Sequence, residues 1–328
     1  MIIEKKREHW PTTKWKLESP ESVGINSEKL HLLDKEINVR LNGVNSFLII
    51  KNGYLIYEKY YNDYNQDKIN HLCSVTKTII SALIGIAIDR KFIKNIDQKI
   101  IEFFPEFKPK SSDYLKKKLT IRHVLTMTTG FLWSSKTYEP MLMRLRNKKN
   151  WINFILNLPI KDKMFGEFQY NSANSHLLSA IIARTSKMST YDFAMKFLFK
   201  PIGISDKISW MTDPQGINIG GYGLQLRPRD MAKLGFLYNN HGVWDKKQII
   251  PLNWIIESLK NYGEGYGYHV WITTINGFNA FIAAGYGGQY IVGIPKLDLV
   301  LVITSNATLR RWRDPRYLIN KFIYEFFK

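Results

Sequence analysis

Residues 71–89, His-Leu-Cys-Ser-Val-Thr-Lys-Thr-Ile-Ile-Ser-Ala-Leu-Ile-Gly-Ile-Ala-Ile-Asp, constrain the fold more than any other stretch of the chain. No Gly or Pro interrupts the apolar run before Gly85, so the segment predicts a buried helix that other elements must surround. Its first turn carries Ser74 and Lys77, three residues apart and therefore neighbours on one face. A serine hydroxyl is a poor nucleophile near neutral pH unless a base lies within hydrogen-bond reach. A lysine one turn away can be that base if burial or nearby charge keeps part of it neutral. The helix N-terminus adds unpaired N–H groups and a positive dipole end, which favour an anion at Ser74. On these two residues alone, a capping serine beside a snorkelling lysine is the plainer reading.

The rest of the chain supplies β-structure at its two ends and mainly helix between them. Ser27 is placed as the cap of a helix from Glu28 to about Leu41, with Leu30, Leu32, Leu33 and Ile37 as its apolar stripe. Phe47–Glu58 holds two β-prone runs around Asn52-Gly53, a dipeptide suited to the positive φ angles of a two-residue hairpin turn. Leu119–Thr129 predicts a short helix capped by Thr120 and closed by Gly130. The 131–166 region is irregular, aromatic and basic. Further helices are expected over Ala173–Arg184, Tyr191–Lys200 and Pro228–Tyr238. Four strand-like runs follow, at Val270–Ile275, Phe278–Ala284, Gln289–Ile294 and Leu299–Thr304, before a helix over Pro315–Phe327.

This order predicts an α+β fold. One antiparallel sheet is built from the early hairpin and the C-terminal strands, flanked by the first and last helices, with a helical subdomain inserted. The expected divisions are a lead-in over 1–18 and one domain over 19–328. Within it, 19–70 and 265–328 form the sheet part and 71–264 the mainly helical part. A site between the two parts is expected.

Composition narrows the function classes. The formal charge is +19, but lysines are scattered and no zinc-finger, helix-turn-helix or RNA-recognition signature is present, so nucleic acid is not the expected partner. Nothing reaches transmembrane length, and the first ten residues lack an apolar core of signal-peptide length. The single cysteine, Cys73, excludes an internal disulfide and reads as a small buried hydrophobe. The expectation is a cytoplasmic protein that does not engage a membrane. His-Glu-x-x-His and thiolate clusters are absent, so neither a metal nor another cofactor is expected. His71, His123 and His176 invite a Ser-His triad, yet there is no Gly-x-Ser-x-Gly elbow and no evident acid partner.

Several blocks in order resemble the serine β-lactamase and penicillin-binding-protein superfamily, from about Ser19 to Ile323. They are Ser74-Val-Thr-Lys77, Leu119–Gly130, Phe168-Gln-Tyr170-Asn-Ser172-Ala-Asn174, Gly220-Gly-Tyr-Gly-Leu with Arg229–Gly235, and Gly285-Tyr-Gly-Gly-Gln289. The closer likeness is to the class C β-lactamase-related branch, which includes esterases, D-aminopeptidases and nylon-oligomer hydrolases. The resemblance implies acyl transfer with Ser74 as nucleophile and Lys77 and Tyr170 as proton-transfer groups. Which of the two takes the Ser74 proton stays open. It also implies an oxyanion hole from the backbone N–H groups of Ser74 and Tyr286. Ser172, Asn174, Gly287 and Gly288 would lie along the substrate cleft, although Ser172 and Asn174 also suit a capping role on the following helix; Trp133, Tyr138 and Trp210 are wall candidates. Two departures matter: Ser172 stands where the class C pattern has Asn, and the third motif lacks its lysine. An ester or amide substrate is therefore favoured. The alternatives are β-lactamase or D-peptidase chemistry and a non-catalytic binding member. Specificity would lie in the 131–166 and 205–225 loops.

Overall fold

A computed structural model describes residues 7–111, 113–133, 138–205, 207–306 and 313–327. In chain order, α1 (Ser27–Arg40) leads into the hairpin β1 (Val44–Lys51) and β2 (Tyr54–Tyr60), then β3 (Asn70–His71) and α2 (Val75–Asp89). The middle holds α3 (Ile121–Leu125), β4 (Thr129–Phe131), α4 (Tyr138–Arg146), α5 (Trp151–Leu156), β5 (Ile160–Phe165), α6 (Ser172–Ser186) and α7 (Thr190–Ala194). Next come β6 (Ser209–Trp210), β7 (Leu224–Leu226), α8 (Pro228–Asn239), the small pair β8 (Val243–Trp244) and β9 (Lys247–Gln248), and α9 (Leu252–Ser258). Strands β10 (Trp271–Ile275), β11 (Phe278–Gly285), β12 (Gln289–Ile294) and β13 (Leu299–Ser305) precede α10 (Arg316–Phe326).

The main sheet has the order β10-β11-β12-β13-β1-β2 and is antiparallel throughout. The hairpin turn forms at Asn52-Gly53, with φ of 55° and 89°, the left-handed pair that matches the twist of the flanking strands. β1 is buried at every position except Lys51, because both faces of the sheet are covered. Phe47 and Ile49 point to the side packed by α1 and α10, where Leu33, Ile37, Leu318 and Phe322 meet them. Leu48 and Ile50 point to the opposite core, which contains α2 and α8. α2 is buried from Val75 through Ala87, as a helix apolar on all sides must be. The fold class thus agrees with the sequence expectation, including the first and last helices on the sheet.

Several local expectations need correction. In α1 the stripe is Leu30, Leu33 and Ile37; Leu32 falls on the other side and is 64% exposed. Asn26, not Ser27, caps this helix by accepting from the Lys29 N–H. The 131–166 region contains α4, α5 and β5, whose short apolar stripes are interrupted by the basic run between them. α9 was not anticipated. Over 190–202 the helix widens into a π turn at Met195–Phe199 and a 3-10 turn containing Pro201. The lead-in is docked where it is described: Trp15 is buried and Leu17 bridges Leu55.

Candidate active site

The chain reaches Ser74 from β3, which pairs with β7, and the ladder continues through a Leu72 N–H bond to the Leu224 carbonyl at 2.9 Å. It then has to turn sharply into α2. Cys73 makes that turn in the left-handed region, with φ of 49°, and its N–H is taken up by His71 Nδ1 at 3.1 Å. Ser74 occupies the N-cap position of α2, yet its side chain makes no capping bond. A serine at this position ordinarily accepts a first-turn N–H. Here Oγ instead meets Lys77 Nζ at 2.9 Å, which removes the plain capping reading.

Lys77 does not snorkel. It is 1% exposed, and its amine also reaches Ser172 Oγ at 3.1 Å and the Gly221 carbonyl at 2.7 Å. No carboxylate among the described residues pairs with it. Burial penalises the ammonium and brings the Lys77 pKa down to about 7. The neighbouring Cys73 thiol is itself pushed up by burial, so it is neutral near pH 7 and offers no counter-charge. Of the three oxygens around the amine, the Gly221 carbonyl can only accept, whereas the two hydroxyls can donate or accept. A neutral Lys77 can therefore donate to Gly221 while its lone pair receives the Ser74 proton.

The second motif supplies the other wall of this cluster. Asn171 caps α6 by accepting from the Asn174 N–H, which aims Ser172 of the first turn at Lys77. Asn174 does not line the cleft: it is fully buried and bonds Thr129 and the Met127 sulfur. Tyr170 precedes the helix, and Lys77 Nζ lies 4.9 Å from the centre of its ring. Trp271 stacks on that ring at 6.0 Å and Tyr266 meets it edge-on at 5.9 Å, which fixes its plane. Gly221 is confined by the same helix, since a Cβ there would lie 2.7 Å from the Ser172 carbonyl oxygen.

The third motif closes the cluster on the sheet side. Gly285 ends β11 against the segment that leads to Ser74; a Cβ would stand 2.3 Å from the Leu72 carbonyl oxygen. Tyr286 follows, with its side chain 80% exposed. Gly287 and Gly288 turn in the left-handed region, and Gly288 backs onto Ser305 at the end of β13 and Pro315 at the start of α10. The backbone N–H groups of Ser74 and Tyr286 have no acceptor among the described residues.

Other candidates fall elsewhere. Trp133 and Trp210 are core residues and not cleft walls, and the side chain of Tyr138 lies outside the described residues. His123 completes a capping box with Thr120. His176 does have an acid partner, Asp213, at 3.0 Å, but its other nitrogen faces the Gly220 N–H, so neither nitrogen serves a nucleophile. His269 carries no motif that sequence reasoning could find; it is buried, bonds Ser175 Oγ at 2.9 Å and the Leu125 carbonyl at 3.0 Å, and its pKa is pulled down to about 3 by burial and by Lys77. No helix of the described residues is long and apolar enough to cross a membrane.

A helical layer packs on an antiparallel sheet, with the half-buried Ser74 and the buried Lys77 where they meet, and the family and relatives that the chain matches make it a serine hydrolase. The match to the Beta-lactamase family model over residues 40–321 makes the chain a member of that family. A curated relative, the 6-aminohexanoate-dimer hydrolase of Paenarthrobacter ureafaciens, is 22% identical over 89% of this chain and 79% of its own. Among solved structures, a Bacillus anthracis protein provisionally named for the same activity superposes with a TM-score of 0.72 at 21% identity, covering 97% of this chain and 87% of that one. EstCE1, a hydrolase with promiscuous acyltransferase activity, gives 0.74 at 16% identity, covering 93% and 99%. These structural likenesses concern the fold.

Proposed function

We propose that this chain hydrolyses small esters or amides through a Ser74 acyl-enzyme. The observation that carries the reading is the buried Lys77 amine, 2.9 Å from Ser74 Oγ and held near neutrality by its surroundings. Lys77 takes the Ser74 proton as Oγ bonds to the substrate carbonyl carbon. The resulting oxyanion lies between the Ser74 and Tyr286 N–H groups, each contributing about 3 kcal/mol to the transition state. Collapse breaks the C–O or C–N bond, and the leaving group is protonated through Tyr170, whose ring centre lies 4.9 Å from Lys77 Nζ and which relays the proton that Lys77 took from Ser74. Water then repeats the sequence on the acyl-enzyme, and Ser74 recovers its proton.

Support for a small substrate comes from the curated relative, whose name specifies a 6-aminohexanoate dimer, and EstCE1, named as a hydrolase with acyltransferase activity, shares the fold. The departures from the β-lactamase pattern point the same way. Ser172 occupies the motif's Asn position, but its hydroxyl is engaged with Lys77 and not offered to a substrate amide. No lysine stands in the 285–289 turn to meet a β-lactam carboxylate.

The test is labelling with an active-site-directed fluorophosphonate, followed by a panel of acyl esters, linear amides and β-lactams. Labelling at Ser74 that disappears in Ser74→Ala, with esters or amides turned over faster than a chromogenic cephalosporin, is expected. A folded wild type that resists the label overturns the reading; a cephalosporin turned over fastest replaces the substrate class.

A further inference from the structure

Among the three oxygens that hold Lys77, the Gly221 carbonyl is the one that cannot exchange donor and acceptor roles, so its placement decides where the amine points. It belongs to a loop without regular structure, and something must fix that loop. The Gly220 N–H donates to His176 Nδ1 at 3.4 Å. The ring proton therefore sits on Nε2 and is donated to Asp213 Oδ2 at 3.0 Å. The other Asp213 oxygen accepts the N–H groups of Gln215 at 2.8 Å and Ile217 at 2.9 Å, which folds the loop segment back on itself. Both side chains are essentially inaccessible, at 1% and 0% exposure. Burial alone would raise the Asp213 carboxyl; the bond from His176 and the two N–H groups outweigh it and hold it below the ordinary range. The loop also rests directly on α6, since a Cβ on Gly220 would stand 2.0 Å from the Ser175 carbonyl oxygen. A buried, fully bonded His–Asp pair is an expensive way to fasten a loop that Ser179 already ties through the Asn218 carbonyl at 2.6 Å.

We propose that His176 and Asp213 are positioning residues for the hydrolase reaction: through Gly220 they set the Gly221 carbonyl against Lys77 and so orient its amine toward Ser74. The inference rests on the reading of Lys77 as a proton-transfer group. The titratable groups that face Lys77 are the Cys73 thiol, the Tyr170 phenol and the His269 imidazole, and none of them belongs to this loop. A change at His176 therefore reaches Lys77 through the Gly221 carbonyl and not through a direct charge.

The experiment has two readouts. Steady-state kinetics compare wild type with His176→Leu, which fills the space without bonding, and His176→Asn, whose Oδ1 can accept the Gly220 N–H. His176→Leu is expected to lower kcat about tenfold or more with KM within about twofold, and His176→Asn to recover most of the loss. In a Ser74→Ala background, the ζ-15N shift of Lys77 is titrated by NMR with and without His176→Leu. Its midpoint is expected to move by about half a pH unit or more. If His176→Leu does not fold, Asp213→Asn replaces it. That change keeps an oxygen for the loop N–H groups but presents a donor to Nε2, forcing the ring proton onto Nδ1 and against Gly220. Wild-type kcat together with an unmoved Lys77 titration overturns the proposal. Should the wild type itself hydrolyse nothing, the function reading fails, while the lysine titration still decides the positioning role.

Discussion

Ser74 stands at the N-cap of α2 without capping it, because its hydroxyl is 2.9 Å from the Lys77 amine of the next turn. A capping serine contributes about 1 kcal/mol to helix stability, so diverting it is a sacrifice of local stability to the site. Replacing Lys77 by Ala should therefore leave the fold intact while slowing acylation by about two to four orders of magnitude, the span typical of losing a positioned base. Stopped-flow burst kinetics with a p-nitrophenyl ester, beside a circular dichroism spectrum, measure both. Burst rates equal to wild type would show that the chemistry does not depend on this amine.

The proton-transfer role also fixes a pH profile. Lys77 must be neutral to accept a proton, and its environment brings it to about 7. The kcat/KM profile should accordingly rise with pH along an acid limb centred near 7 and reach a plateau by about pH 8. An ordinary exposed lysine would instead give activity still climbing at pH 10. A profile of that second kind for Ser74-dependent turnover counts against Lys77 as the base.

How far the sequence foretold this arrangement depends on the range of each contact. Ser74 and Lys77 were legible because residues three apart on a helix must meet, and the hairpin was legible because Asn52-Gly53 demands positive φ. Tyr170 came from the order of motifs, not from any local pattern. The partners that set the behaviour of Lys77 were hidden: Ser172 lies 95 residues away and Gly221 lies 144 away. The same is true of Asp213, whose pairing with His176 depends on how a loop folds across α6. Asn174 was misplaced because capping and cleft positions share residue types at the start of a helix, and only burial distinguishes them. Short elements such as α5 and α9 escaped because six or seven residues show barely two turns of periodicity.

Gly85 offers a check on packing that is independent of the chemistry. It lies in the middle of α2, where glycine is a poor helix former, and a Cβ there would stand 2.4 Å from Trp254 Cγ on α9. Gly85→Ala gains about 1 kcal/mol of helix propensity but forces the indole to shift, at a cost of about 1–3 kcal/mol. The balance should be destabilising, seen as a lower denaturant midpoint at unchanged m-value. Trp254→Leu in the same chain should relieve most of the clash, so a double mutant no more stable than the sum of the singles would show that the contact does not govern the effect.

The depressed Lys77 leaves a signature in stability as well. The folded protein gives up the Lys77 proton at about 7, whereas the unfolded chain holds it to near its ordinary value of 10.5. Between these values the unfolded state binds more protons, so this residue makes stability rise with pH across that window. Below about 7 both states are protonated, and its contribution is flat at its most unfavourable. Lys77→Met removes the titration while filling similar volume. The unfolding free energy of wild type minus that of Lys77→Met should thus be constant from pH 5 to 6.5 and climb by about 2 kcal/mol between pH 7 and 9. Urea unfolding of the two proteins in matched buffers gives the difference directly and cancels the other titrating groups they share. A difference that stays level through pH 9 would mean that the amine remains charged in the folded protein, and the base would then have to be sought at Tyr170.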